Sequence, residues 1–158
     1  MKTIELTKGK YVLVDDEDYD YLNQWDWYAY PHGRTFYAVR EIIAKTGIKS
    51  KLRMHRVIVN AKNGEICDHR DGNGLNNQRA NLRKCSHQQN TWNSRTRINN
   101  TSGQRGVRWD KDKMKWRSVI GYKNKKIHLG YFDSQQQASD IYNRRARDLF
   151  GEYYKETL

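Results

Sequence analysis

The chain is short of apolar runs, of cysteine, of proline and of acidic charge. No stretch approaches the ~20 consecutive apolar residues that a membrane-spanning helix needs, and the opening "MKTIELTKGK" lacks the apolar core of a secretory signal. The expectation is a soluble protein that works inside a cell. Two cysteines, Cys67 and Cys85, are too few for a disulfide framework and read as free thiols in a reducing compartment. The one proline, Pro31, stands with Gly33 between two strand candidates and marks a hairpin loop. Acidic side chains are outnumbered: 30 Lys and Arg stand against 18 Asp and Glu, a net charge of +12 over 158 residues. Such a balance points to a polyanion, either nucleic acid or an anionic membrane surface. The basic residues are interleaved with 5 Trp and 11 Tyr, a mixture that suits phosphate contact and stacking better than a lipid-facing helix.

What the chain does hold is one segment dense in oxygen ligands and imidazole. Within "CDHRDGNGLNNQRANLRKCSHQQN", Asp68 and His69 are adjacent, Asn81 lies twelve residues beyond His69, and Asn90 nine further on. Phosphodiester hydrolysis needs these groups. A divalent cation must offset charge on the phosphate and the leaving oxygen, and a neutral imidazole must take a proton from the attacking water. Asp and Asn oxygens suit Mg²⁺, a hard cation that keeps several waters. Neighbours on a strand point to opposite faces, so Asp68 and His69 approach one phosphate only where their strand ends or bends. "DGNGLNN" supplies a loop signal directly afterwards, and "SHQQNTWNS" reads as a short helix returning Asn90 towards Asp68. Two plainer readings stand beside this one. The segment also fits an Asn-rich turn with a surface histidine. Cys67, His69, Cys85 and His87 also form a four-ligand set for zinc, although one intervening residue per pair is tighter than the usual spacing.

In order and spacing the block resembles the HNH (ββα-metal) nucleases, in the His-Asn-Asn form of phage homing endonucleases; "DGN", "NNQRANLR" and "QQN" carry the likeness. The resemblance implies His69 as general base and Asn81 as the residue that pins the loop between two strands and orients that base. It implies Asp68 and Asn90 as ligands of one Mg²⁺, with Mn²⁺ able to substitute, and double-stranded DNA as the partner. A single site per chain favours nicking. The same likeness places the protein in a host-cell cytoplasm, associated with the nucleoid if phage-encoded. In "LRMHRVIV", similar nucleases carry a Met-His-Arg or Val-His-Arg element, so His55 is a candidate for phosphate contact or support of the site. Arg53, Arg56, Arg70 and Arg79 are close enough in sequence to ring a phosphate.

The rest of the chain separates by composition. Residues 1–50 are β-rich, with an apolar run from Tyr11 to Val14, an acidic turn, an aromatic stretch around Trp25, Trp27, Tyr28 and Tyr30, and a further strand in "TFYAVREIIA". These aromatics are read mainly as the core of a small sheet, with stacking on DNA as the alternative. The nuclease motif spans 51–94. Residues 95–103 are a polar, basic linker whose Arg95 and Arg97 are candidates for tracking along DNA. Residues 104–158 hold three strands, "GVRW", "KWRSVIGY" and "KKIHLGYF", and a helix opened by the Ser134–Gln137 capping box. "RGVRW", "KWRS", "LGYFDS" and the Ala-rich helix ending in Gly151-Glu152 resemble the ethylene-response-factor (Apetala-type) DNA-binding domain. That likeness implies that Arg105, Arg108, Arg117, Lys126 and His128 face DNA. Val119, Gly121 and His128 depart from the plant pattern on the reading face, so a target preference does not transfer. The expected fold is α+β: a β-rich start, a ββα-metal motif, then a three-stranded antiparallel sheet packed on one helix. The rival reading is a DNA-binding regulator, either catalytically inactive or stabilised by zinc.

Overall fold

The computed structural model describes residues 1–43, 47–94, 96 and 100–154. The chain divides into two compact units, Met1–Asn90 and Thr91–Leu158. It is a mixed α+β protein with small antiparallel sheets.

In the first unit, strands β1 (Lys2–Leu6) and β2 (Lys10–Val14) form a hairpin, turned by Lys8 and Gly9 at positive φ. The acidic run expected as a turn is instead a helix, α1 (Asp16–Leu22). Its acids are its start signal, since Asp16, Glu17 and Asp18 all lie in the first turn, where the helix dipole favours negative charge. Strands β3 (Tyr28–His32), β4 (Thr35–Ile43) and β5 (Lys49–Arg53) make a three-stranded meander. Pro31 lies within β3, paired with Phe36, and the turn itself is Gly33-Arg34.

Alternation sets what this sheet does. Ala29 and Ala38 face the core, whereas Tyr30, Tyr37 and Arg53 take the other side. Trp27 is buried and donates its Nε1–H to the Leu22 carbonyl at 2.8 Å. The Arg40 guanidinium covers Trp25 at 4.1 Å and Trp27 at 5.6 Å. These two indoles therefore serve the core and a cation–π stack. Helix α2 (Met54–Ile58) follows β5 directly and sends Met54 and Ile58 into a core with Val12, Val14, Leu22 and Leu82. Strands β6 (Ile66–His69) and β7 (Leu82–Cys85) pair antiparallel, and α3 (His87–Asn93) begins after the single residue Ser86. The boundary between the two units falls inside α3.

The second unit follows its sequence pattern closely. Strands β8 (Val107–Asp110), β9 (Lys115–Tyr122) and β10 (Lys125–Phe132) form an antiparallel sheet, and α4 (Gln135–Phe150) packs on it. Lys123 and Asn124 both have positive φ, 47° and 61°, as a two-residue type I′ hairpin requires. The Ser134 hydroxyl accepts from the Gln137 N–H at 3.1 Å and caps α4. Ile120, Tyr142, Ala146 and Phe150 form the core, and Trp92 stacks on Phe150 with ring centroids 4.5 Å apart.

Candidate active site

Strand β6 ends at His69, and the β6–β7 register decides what its two key residues meet. Asp68 lies opposite Arg83, and His69 lies opposite Leu82, so the carboxylate and the imidazole project to opposite faces of the hairpin. Arg83 donates from Nε at 2.9 Å and from Nη2 at 2.8 Å to the same oxygen, Oδ2 of Asp68. Both side chains are buried, at 5% and 8% exposure. The pair matters because a carboxylate taken out of water this completely needs a charged partner.

On the other face, His69 is 5% exposed, and its Nε2 lies 2.9 Å from Oδ1 of Asn77. With an amide oxygen facing it, Nε2 carries the proton and Nδ1 the basic lone pair. Burial lowers the His69 pKa; the Asn77 hydrogen bond and the charges of Asp71 and Asp68 oppose that shift without cancelling it. The ring is therefore neutral at neutral pH, as a general base must be.

Two rings flank this imidazole. Tyr37 stacks on it at 5.7 Å and 17°, and His55 meets it edge-on at 4.9 Å and 77°. Tyr37 also contacts His55 at 4.9 Å and stacks with His32 at 4.8 Å. The Arg53 guanidinium lies 5.8 Å from the Tyr37 ring. Burial raises the Tyr37 pKa, so its phenol stays protonated.

The loop between β6 and β7 is held by its own amides. Asn81 donates from Nδ2 to the Asn76 carbonyl at 2.7 Å and to Oδ1 of Asp71 at 3.0 Å, while its Oδ1 accepts from the Asp71 N–H at 3.0 Å. The loop is also fastened outwards. Leu13 N–H donates to the Leu75 carbonyl and Asn77 N–H to the Leu13 carbonyl, both at 2.8 Å, and Gly74 N–H donates to Oγ1 of Thr35 at 2.9 Å. A Cβ at Gly74 would lie 2.4 Å from the Tyr37 ring, so only glycine lets the loop settle there. These ties fix the backbone of Asn77, and with it the tautomer of His69.

Asn90 sits exposed on α3. That helix opens with a reciprocal capping box: Ser86 N–H donates to Oε1 of Gln89 at 2.8 Å, and Gln89 N–H to Oγ of Ser86 at 3.2 Å. The signature Ser86-x-x-Gln89 was present in the sequence and marks the helix start. By type, Asp68 and Asn90 are a carboxylate and an amide oxygen, donors that suit Mg²⁺ with water completing its shell, and Arg83 already holds Oδ2 of Asp68. Among the described residues, no group of three or more His, Cys, Asp or Glu side chains is placed to hold a metal ion. The zinc set in particular does not assemble. Cys85 pairs with Ile66 and Cys67 with Lys84, so the two thiols face opposite sides of the hairpin. Burial also raises both, Cys85 to about 11, which disfavours the thiolates zinc needs.

Several arginines expected at DNA are engaged within the fold. Arg56 donates to the carbonyls of Glu65 at 2.6 Å and Lys62 at 2.8 Å. Arg79 pairs with Asp18 at 2.7 Å and Glu17 at 2.8 Å. Arg105 donates to the carbonyls of Thr91, Trp92 and Ser94, closing the end of α3. Each is drawn off by acceptors that a linear sequence does not place beside it. Arg53 and Arg70 are exposed. Arg95 and Arg97 lie outside the described residues. In the second unit, Arg108 pairs with Arg117, His128 with Val119 and Lys126 with Gly121, which puts these four basic side chains on the sheet face away from Ile120 and α4. Tyr131, opposite Arg117, joins them and contacts the His128 ring at 4.7 Å.

No family model matches the chain, and no solved structure matches it. Among curated proteins, it is 35% identical over 106 residues to Protein 3.8 of Escherichia phage T7, covering 64% of this chain and 87% of that protein. It is also 31% identical over 153 residues, 92% of this chain and 74% of the relative, to an uncharacterized HNH endonuclease of Acanthamoeba polyphaga mimivirus. The chain belongs to the HNH endonuclease family. Four residues around His69 or its neighbouring carboxylate do not stand out in the sequence for these positions: Asn77, Tyr37, Arg83 and Gly74. Asn77 was hidden among five asparagines between Asn73 and Asn90, and the other three are placed by strand register and tertiary packing.

Proposed function

We propose that this chain is a metal-dependent DNA endonuclease of homing type that nicks one strand, with its second unit serving as a DNA-binding module. The observation that carries the reading is the buried, neutral His69 with Nε2 held by Asn77. It is a general base of fixed tautomer, next in sequence to a carboxylate, on a chain of net charge +12. The succession of β6, β7 and α3 supports a ββα-metal arrangement, with 51–94 as the nuclease motif and Asn81 as the residue that pins its loop.

In the proposed reaction, Nδ1 of His69 takes a proton from water as the water oxygen bonds to phosphorus in line with the departing 3′ oxygen. The P–O3′ bond breaks, the 3′ oxygen gains a proton from solvent, and the imidazolium returns its proton to water. The nearby Asp71 and Asp68 charges favour the transient imidazolium. Held by Asp68 and Asn90, Mg²⁺ (or Mn²⁺) would supply Lewis-acid stabilisation of the phosphate and the leaving oxygen. Arg53 and Arg70, both exposed, would meet backbone phosphate. The basic sheet face of Arg108, Arg117, Lys126 and His128, on a unit resembling the ethylene-response-factor domain, would lie in the major groove. Residues 95–103 would then link nuclease and reader.

Cleavage of supercoiled plasmid and of phage genomic DNA tests the reading. Wild type with Mg²⁺ should give nicked product, while EDTA or His69→Ala should abolish it. Equal inertness of wild type and His69→Ala on both DNAs, also with Mn²⁺, would discard the nuclease in favour of a binding protein.

A further inference from the structure

His55 is a second imidazole in the same enclosure, and the fold leaves it unsatisfied. It is 4% exposed, and its Nδ1 is buried with no hydrogen-bond partner among the described residues. A polar atom left in this state costs stability, and a phenylalanine would fill the same slot without that cost. Such an atom calls for an explanation, and a ligand that supplies the missing bond is one.

The surroundings say which ligand. The His55 ring lies 4.9 Å from His69, edge to face, and 4.9 Å from Tyr37. A group within hydrogen-bond reach of a water held by His69 is thus close to His55 as well. Arg53, two residues before it in sequence, is exposed. Burial, reinforced by His69, Arg53, Arg56 and His32, drives the His55 pKa down to about 3. The ring is thus a neutral dipole at any working pH, suited to donate a hydrogen bond and unable to act as a cation. A phosphate oxygen only accepts, so the nitrogen that meets it must carry the proton.

We propose that His55 is a substrate-binding residue of the active site, its Nδ1–H donating to a non-bridging oxygen of the phosphodiester on which His69 acts. The assignment rests on the nuclease reading of His69, and it reverses the usual expectation for a buried side chain. Removing it should not harm the fold.

His55→Phe keeps a ring in the slot and removes the nitrogens. Its melting temperature should equal or exceed that of wild type, while kcat for DNA cleavage falls by ~10²-fold, as expected when one transition-state donor is removed. In EDTA, where no cleavage occurs, a short DNA duplex added to wild type should shift the His55 Nδ1–H resonance downfield. A lowered melting temperature with wild-type kcat would make His55 structural and overturn the proposal. So would a His55 resonance that stays in place at saturating duplex. The resonance needs neither turnover nor a folded variant. If wild type cleaves no DNA yet the His55 signal moves, the nuclease reading fails and the phosphate contact stands.

Discussion

At the scale of single residues, two neutral histidines are buried side by side, and this makes the fold sensitive to mild acid. In the unfolded chain a histidine titrates near 6.5, whereas His55 in the fold titrates at about 3 and His69 also below its ordinary value. Between those limits the unfolded state binds more protons than the native one, so stability is full above 6.5 and declines as pH falls. His55 alone contributes a slope of at most ~1.4 kcal/mol per pH unit. Chemical denaturation between pH 7 and 5, above the usual carboxylate range, should show wild-type stability falling. His55→Phe should keep only the shallower decline due to His69; an unchanged slope would mean that His55 is hydrated in solution. Sequence exposed part of this cluster. Asp68, His69 and Asn81 could be singled out because they lie in one contiguous run. Arg83 was not, because it meets Asp68 only through the β6–β7 register. Tyr37 was not, because 32 positions separate it from His69 and only the packed sheet brings them together.

At the scale of elements, the loop from Arg70 to Asn81 takes much of its order from outside itself. β2 holds Leu75 and Asn77, β4 holds Gly74, and Asn81 closes the ring from within. Gly74→Ala tests whether this clamp sets the geometry of His69. The new Cβ would meet the Tyr37 ring at 2.4 Å and the Phe36 carbonyl at 2.5 Å. The tyrosine is packed and the carbonyl is backbone, so the loop must give. Overpacking of this kind costs ~1–3 kcal/mol. The loop displaced from β4 carries Asn77 with it. The variant should therefore melt lower, and at a temperature where it remains folded its kcat should fall far more than the stability change explains. Full activity in the folded fraction would mean that Asn77 is held by β2 alone. The same scale explains the misread acidic run. Its charges signal a turn when counted, but Arg79 lies 61 positions beyond Asp18 and neutralises one end of it, and the helix dipole favours the rest.

At the scale of the whole molecule, a net charge of +12 does not by itself say where DNA binds, because the fold consumes some of the charge. Arg56, Arg79 and Arg105 are all engaged by carbonyls or carboxylates. The second unit was legible down to its turns because strands, I′ turn and capping box each follow local rules. What local rules could not separate was Arg105 from Arg108, three residues apart in "RGVRW". The first closes the end of α3 and the second stands on the open sheet face beside Arg117. Charge reversal distinguishes them in one experiment. Arg108→Glu with Arg117→Glu should leave the melting temperature near wild type and weaken duplex binding severalfold or more. The slope of log K against log salt should fall by about 0.9 for each phosphate that the protein no longer neutralises. Arg105→Ala should do the reverse, lowering the melting temperature as three carbonyls lose their donor while the salt slope stays at the wild-type value. If Arg105→Ala instead reduced the slope and the double reversal did not, the DNA-facing surface would have to be moved off the open sheet face and towards the end of α3.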